Sequence, residues 1–320
     1  MNVRWLSMHS LVVGTSLIMA ASCGAPQLST GNPGLATQMR ISPKAFPDVT
    51  TERLYEQSSL SASIKDFAIS DRRSHAPVCH DSLPSAIGTS VGIGVNSAHT
   101  LYVPSLAGKI YTFAPNCGGQ GPSLTDPNGA PRAVAFDNKK GIVYAPESQS
   151  DCVEVYEHGA TSPTRTLCNA ALKGACGVAV DRYGNVYVSS ITYRDYDDAI
   201  VEFPHGRQKG AGALKITGFQ DGPCGLAFDL NGNLLIVAFE NVYVFAPPFN
   251  GPPARRIITG CCGGYGALDH SNRHFFVASS GTSVDVYSYP AGNYEYSIRV
   301  TGRKRQRGVS GIAVDPPSGS

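Results

Sequence analysis

The stretch GVAVDRYGNVYV, residues 177–188, decides the fold. Two short runs rich in Val flank Asp181-Arg182-Tyr183-Gly184-Asn185, a turn with an acid at its start and a glycine where φ can be positive. This pattern predicts a tight hairpin, and a second copy, GLAFDLNGNLLIV, stands at 225–237. Working outward at that spacing finds six short apolar runs: IGVN, VAFD, VAVD, LAFD, ALD and IAVD. They close at Asn96, Asp137, Asp181, Asp229, Asp269 and Asp315, separated by 41, 44, 48, 40 and 46 residues. Two residues before each closing residue the side chain is small: Gly94, Ala135, Ala179, Ala227, Ala267 and Ala313. A position that is small in every copy predicts strands crowded around a common axis. The carboxylates read as structural, each accepting backbone N–H bonds within its own turn.

A second marker keeps the same register, an aromatic three residues after a β-branched residue. Its copies are Ile64 and Phe67, Ile110 and Phe113, Val153 and Tyr156, Ile200 and Phe203, Val242 and Phe245, and Val284 and Tyr287. Between the markers lies another strand (TLYVPS, NVYVSS, NLLIVAF, RHFFVAS), and after the aromatic a fourth (TRTLC, ALKITG, ARRIITG). Four short strands per unit make a propeller blade. Gly311 to Asp315 supplies only an innermost strand, while RLYEQS at 53–58, SIKDFAIS at 63–70 and APVC at 76–79 match the second, third and fourth strands. The expected fold is therefore an all-β, six-bladed β-propeller of four-stranded antiparallel blades, closed by a blade shared between the N- and C-terminal segments.

These motifs, strongest at 177–188 and 225–237 with weaker copies over 53–320, resemble the NHL-repeat and SMP-30-like group of six-bladed propellers. That group holds enzymes as well as binding modules. The resemblance implies the fold more than the chemistry. An Asp commonly follows the second strand in NHL repeats, whereas Ser105, Ser189, Phe239 and Ser279 fall nearby here. Lactonase members bind a divalent metal at the channel mouth through a Glu, Asn and Asp set; no motif here matches it, so no ligand residue carries over.

Composition agrees with a turn-rich β protein: 35 Gly, 22 Pro and 15 Tyr in 320 residues, with 16% charged. A net charge of +2 makes nucleic acid an unexpected partner, since phosphate binding needs a concentrated basic surface. Residues 1–22 carry one cation at Arg4, an apolar run from Leu11 to Ala21 and small residues before Cys23, the layout of an export signal. A transmembrane anchor would need a longer run. Met19-Ala20-Ala21-Ser22-Cys23-Gly24 resembles a bacterial lipobox, with Ala20 where Leu is usual, so Cys23 is the expected lipidation site and plain secretion the alternative. Residues 23–50 read as a flexible tether and 51–320 as the propeller. Nine Cys less Cys23 leaves eight, an even number suited to disulfides in an oxidising compartment: Cys79, Cys117, Cys152, Cys168, Cys176, Cys224, Cys261 and Cys262.

Strand order puts the connections between blades, and those from second to third strand, on one face, where a ligand is expected. Three features map there. RKRQR, with Arg303, Lys304, Arg305 and Arg307, would attract an anion, or is a solvated charge run. YRDYDD brings Asp195, Asp197 and Asp198, oxygen ligands of the kind calcium takes, without the glycine and distal Glu of an EF-hand loop. Cys176 and Cys224 stand at equivalent places in GACG and GPCG, and with Cys168, Cys261 and Cys262 read as a disulfide set stapling inter-blade connections, zinc being disfavoured by the lack of CxxC spacing. His158 and His205 are equivalent to each other on the opposite face and read as shared turn residues. The leading expectation is a non-catalytic exported module without a cofactor. It would bind a protein, peptide or carbohydrate through its loop face and meet a membrane through the lipid. The alternative is a lactonase-, esterase- or lyase-type enzyme using a divalent cation such as calcium, on fold analogy alone.

Overall fold

The computed structural model describes residues 52–58, 63–69, 79–83, 92–115, 118–191, 198–218, 222–260, 264–278, 283–300, 309–315 and 317. Six four-stranded sheets account for every strand in the described residues, and each is antiparallel throughout. Blade I comprises Gly94–Val95, Leu101–Ser105, Lys109–Phe113 and Leu124–Thr125; blade II, Ala135–Asp137, Ile142–Glu147, Cys152–Tyr156 and Arg165–Cys168. In blade III the strands are Ala175–Val180, Val186–Ser190, Ile200–Phe203 and Gly212–Ala213; in blade IV, Gly225–Phe228, Leu234–Val237, Asn241–Phe245 and Arg255–Ile258. Blade V holds Gly266–Leu268, His274–Ala278, Ser283–Ser288 and Tyr294–Arg299. Blade VI joins the two ends of the described chain, with order Val309–Asp315, Arg53–Ser58, Ser63–Ala68, Cys79–Ser82.

That shared blade is in the expected register, with Tyr55 opposite Ala313 and Leu54 opposite Val314. All seven residues of Val309–Asp315 are buried, so the strand, though it pairs on one side only, is enclosed between the inner strands of blades V and I. Two outer strands differ from expectation. The fourth strand of blade VI is Cys79–Ser82, three residues later than APVC. In blade III it stops at Ala213, and Ile216 instead bridges Gly251 of blade IV in parallel.

Both sequence markers have a packing cause. The third-strand aromatics Phe67, Phe113, Tyr156, Phe203, Phe245 and Tyr287 are all buried, as are their β-branched partners. They fill the wedge between one blade and the next, where alternating strand residues face opposite sheets. The hairpin turns follow the expected chemistry. Asp181 Oδ1 accepts from the backbone N–H groups of Tyr183 (2.8 Å) and Asn185 (2.9 Å), and Oδ2 from the Asn185 amide (2.8 Å). Asp229 repeats the pattern with Asn231 and Asn233. Gly184 and Gly232 sit at φ +80° and +82°, which a side chain would strain.

Candidate functional site

The six small residues Gly94, Ala135, Ala179, Ala227, Ala267 and Ala313 ring the central channel, each lining one continuous cavity of about 860 Å³. Their size is set by crowding: a Cβ on Gly94 would lie 3.0 Å from Phe136 Cε2. The cavity opens on the face of the hairpin turns, and its walls are the aliphatic side chains that alternate with the small ring, such as Val95, Val180 and Leu226. Towards the other face the channel narrows to a pocket of about 50 Å³ beside Tyr265. This side chain reaches from blade V to the far side, its hydroxyl donating to Arg132 O (3.2 Å) and lying 3.5 Å from Cys176 Sγ. The wide opening is thus opposite the connection face on which the sequence placed a ligand. Single side chains near Tyr265, which no repeat pattern reports, narrow the other end.

At the mouth the carboxylates are engaged. Besides its turn bonds, Asp229 accepts from the Tyr289 hydroxyl of the next blade (2.7 Å), and Asp181 lies 3.5 Å from the Tyr187 hydroxyl. Asp137 pairs with Lys140 (2.7 Å), and Asp315 with His99 of blade I (2.6 Å). Burial pushes the Asp269 carboxyl up, but the His274 ring and the backbone N–H groups of His274 and Arg273 outweigh it and hold the group below 3.8. The Tyr289 phenol is pushed above its ordinary range by burial and by Asp229, so it remains a donor. Tyr187, Phe228 and Phe249 form an aromatic cluster on the wall, with centroids 5.0, 5.6 and 6.0 Å apart. Above it Tyr183 (63% exposed) and Leu230 (49%) project to solvent. Arg182 stacks on Tyr183 at 4.9 Å, and Lys139 of the neighbouring turn donates to the Arg182 carbonyl (3.0 Å).

The sequence reading missed these rim residues because each sits mid-turn, where a charged or aromatic residue looks like ordinary solvated surface. The signal lay in equivalence: Lys139, Arg182 and Leu230 follow the repeating Asp by one or two positions.

Of the residues singled out by sequence, Asp195, Asp197, Arg303, Lys304, Arg305, Arg307 and Cys23 lie outside the described residues, as do Cys117, Cys261, Cys262 and the side chain of Cys79. Asp198 accepts from the Gly222 N–H (3.1 Å), tying the ends of two connections together. Cys176 and Cys224 are bonded to one another, crosslinking blades III and IV beside the axis, a pairing the sequence left open. The approach is so close that a Cβ on Gly177 would lie 1.8 Å from the Cys224 carbonyl oxygen. Cys168 departs from the reading: it bonds Cys152, directly opposite it in blade II, and staples two strands of one sheet. His205 lies beside the Asn185 turn, its N–H donating to Asn185 Oδ1 (2.9 Å), and the His158 ring packs over Gly141.

A second concentration of acid lies buried between blades I and II. Glu147 accepts from the Ala130 N–H at both oxygens (2.9 and 3.1 Å), Glu154 from Asn128 and Thr166, and Asp126 from the N–H groups of Asn128 and Gly129. Burial and then the neighbouring Asp126 push the Glu147 carboxyl far up, so it keeps a proton at neutral pH. Among the described residues no three His, Cys, Asp or Glu side chains converge on a metal-sized site.

No family model matches this chain, and no curated protein matches it. Solved structures do. A chain from the crystal structure of the nidogen/laminin complex is similar with TM-score 0.69 at 16% identity, over 83% of this chain and 99% of that one. A chain of the Kuenenia stuttgartiensis hydrazine synthase reaches TM-score 0.50 at 12% identity over 65% of each. At such identities the likeness is one of fold, and the fold is the six-bladed propeller.

Proposed function

We propose that this chain is an exported, NHL-like propeller that acts as a binding module, with a protein or peptide partner received on the hairpin-turn face. The observation that carries the reading is the chemistry of that face. Its mouth is wide, with aliphatic and aromatic walls below a polar rim, two large side chains, Tyr183 and Leu230, project beside it, and its carboxylates are spent on turn bonds rather than left to move protons. The structural neighbour from the nidogen/laminin complex supports a partner that is a protein.

Export is supported by the two disulfides and by the signal-like segment before Cys23. Lipidation of Cys23 would have a geometric consequence. Glu52 leaves the shared blade on the hairpin-turn face, its carboxylate accepting the His270 N–H (2.8 Å). A lipid on Cys23 would then be joined to the propeller from that same face. Photo-crosslinking residues placed at Tyr183 and Leu230, with Ile258 on an outer strand as control, test the reading in the host envelope. A discrete adduct from the first two positions and none from the third supports it; equal labelling at all three, or none, overturns it.

A further inference from the structure

We propose that the channel mouth also binds a small amphipathic organic anion, its apolar body seated in the well and its acidic group held by Arg182 and Lys139. This goes beyond the protein contact above, because it requires the well and two cations and no macromolecular surface.

Three observations converge on that ligand chemistry. The well has the volume of a small-molecule site, about 860 Å³ against roughly 300–1,000 Å³ for typical ligand pockets, and it gives way to a pocket of about 50 Å³ near Tyr265. Its walls are aliphatic below and aromatic at the Tyr187, Phe228 and Phe249 cluster, so water inside finds few partners and yields readily to an apolar body. The rim carries three carboxylates and two cations, and the cations are the less engaged groups. Asp137, Asp181 and Asp229 are each engaged by turn donors or a lysine, whereas among the described residues the Arg182 guanidinium stacks on the face of Tyr183 and the Lys139 ammonium donates to a carbonyl. The Lys139 bond to Arg182 O puts both cations in one sector, next to the aromatic wall of blades III and IV. An aromatic or branched body bearing one carboxylate, sulfonate or phosphate matches both features at once. Two cations alone give a free inorganic anion too little to hold it, so phosphate by itself is not expected to bind.

The test uses the folded propeller and two naphthalene dyes of similar body, 8-anilinonaphthalene-1-sulfonate and the uncharged N-phenyl-1-naphthylamine, followed by fluorescence and calorimetry. One equivalent of each dye is expected to bind saturably. Replacing both cations (R182Q with K139Q) should weaken the sulfonate about tenfold while the neutral dye stays within about twofold. Ala227→Phe fills the well and should abolish both; Ala135→Leu, across the ring, gives the same readout if the first variant fails to fold. Binding that ignores the filled well, a cation variant that weakens both dyes equally, or no saturable binding overturns the proposal.

Discussion

Glu56 sits on the second strand of the shared blade, fully buried, opposite Lys65 on one side and Ile312 on the other. Neither carboxylate oxygen has a hydrogen-bond partner, because the Lys65 ammonium is turned to the Val300 carbonyl instead. Burial therefore pushes its pKa up from 4.5 to about 7, with Lys65 pulling weakly the other way. The folded chain keeps this proton where the unfolded chain has released it. Stability from Glu56 is thus fully present below pH 4.5, falls as pH rises between 4.5 and about 7, and is gone above that. At about 1.4 kcal/mol per pH unit the loss amounts to about 3 kcal/mol. Glu56→Gln fixes the neutral state. Relative to wild type, the variant should gain about 2.5 kcal/mol between pH 5 and pH 8, or roughly 5 to 10 °C in Tm for a domain of this size. Thermal melts of both proteins at the two pH values check this, and any fixed cost of the amide cancels in the comparison. A Tm difference between the proteins that is the same at pH 5 and pH 8 refutes the reasoning.

Four further outcomes are expected. Asp229→Ala strands the Asn231 and Asn233 donors and the buried Tyr289 hydroxyl, and urea unfolding should show a loss of about 3 kcal/mol, with Asp229→Asn milder. Removing Cys176–Cys224, which closes 48 residues, should cost about 4 kcal/mol, against about 3 for Cys152–Cys168, which closes 16; paired Ala variants compared by denaturant midpoint decide the order. Glu147→Gln should leave stability near wild type at pH 7, because the native group is already protonated there, whereas Glu147→Ala leaves the Ala130 N–H unpaired and should melt earlier. Deleting residues 309–315 should abolish the cooperative melt seen by circular dichroism.

The fold was legible because its causes repeat. Ala179 and Ala227 are small for the same reason, and Phe203 and Phe245 are buried for the same reason, so six copies average out local noise. The mouth was not, because it is built from departures from the repeat. Tyr265 narrows the channel from one blade only. Phe249 joins the aromatic wall from a Pro-rich turn, at φ 58°. Arg182 and Leu230 fill equivalent turn slots with unrelated chemistry, and nothing in a linear pattern says which face they will rim. Strand order drew attention to the connection face, while channel width is decided by side chains that line the axis.

The bond from Ser310 Oγ to Gln57 O joins residues 253 apart, so the sheet begun at Arg53–Ser58 waits for its inner strand until the other five blades have been made. At ribosomal speeds of roughly 5–20 residues per second that delay is about 13 to 50 s. Throughout it Arg53–Ser58 has a bare edge able to pair with another nascent copy. The order of synthesis therefore makes the wheel's closing seam its moment of greatest exposure, which favours chaperone cover or delivery across a membrane before folding begins.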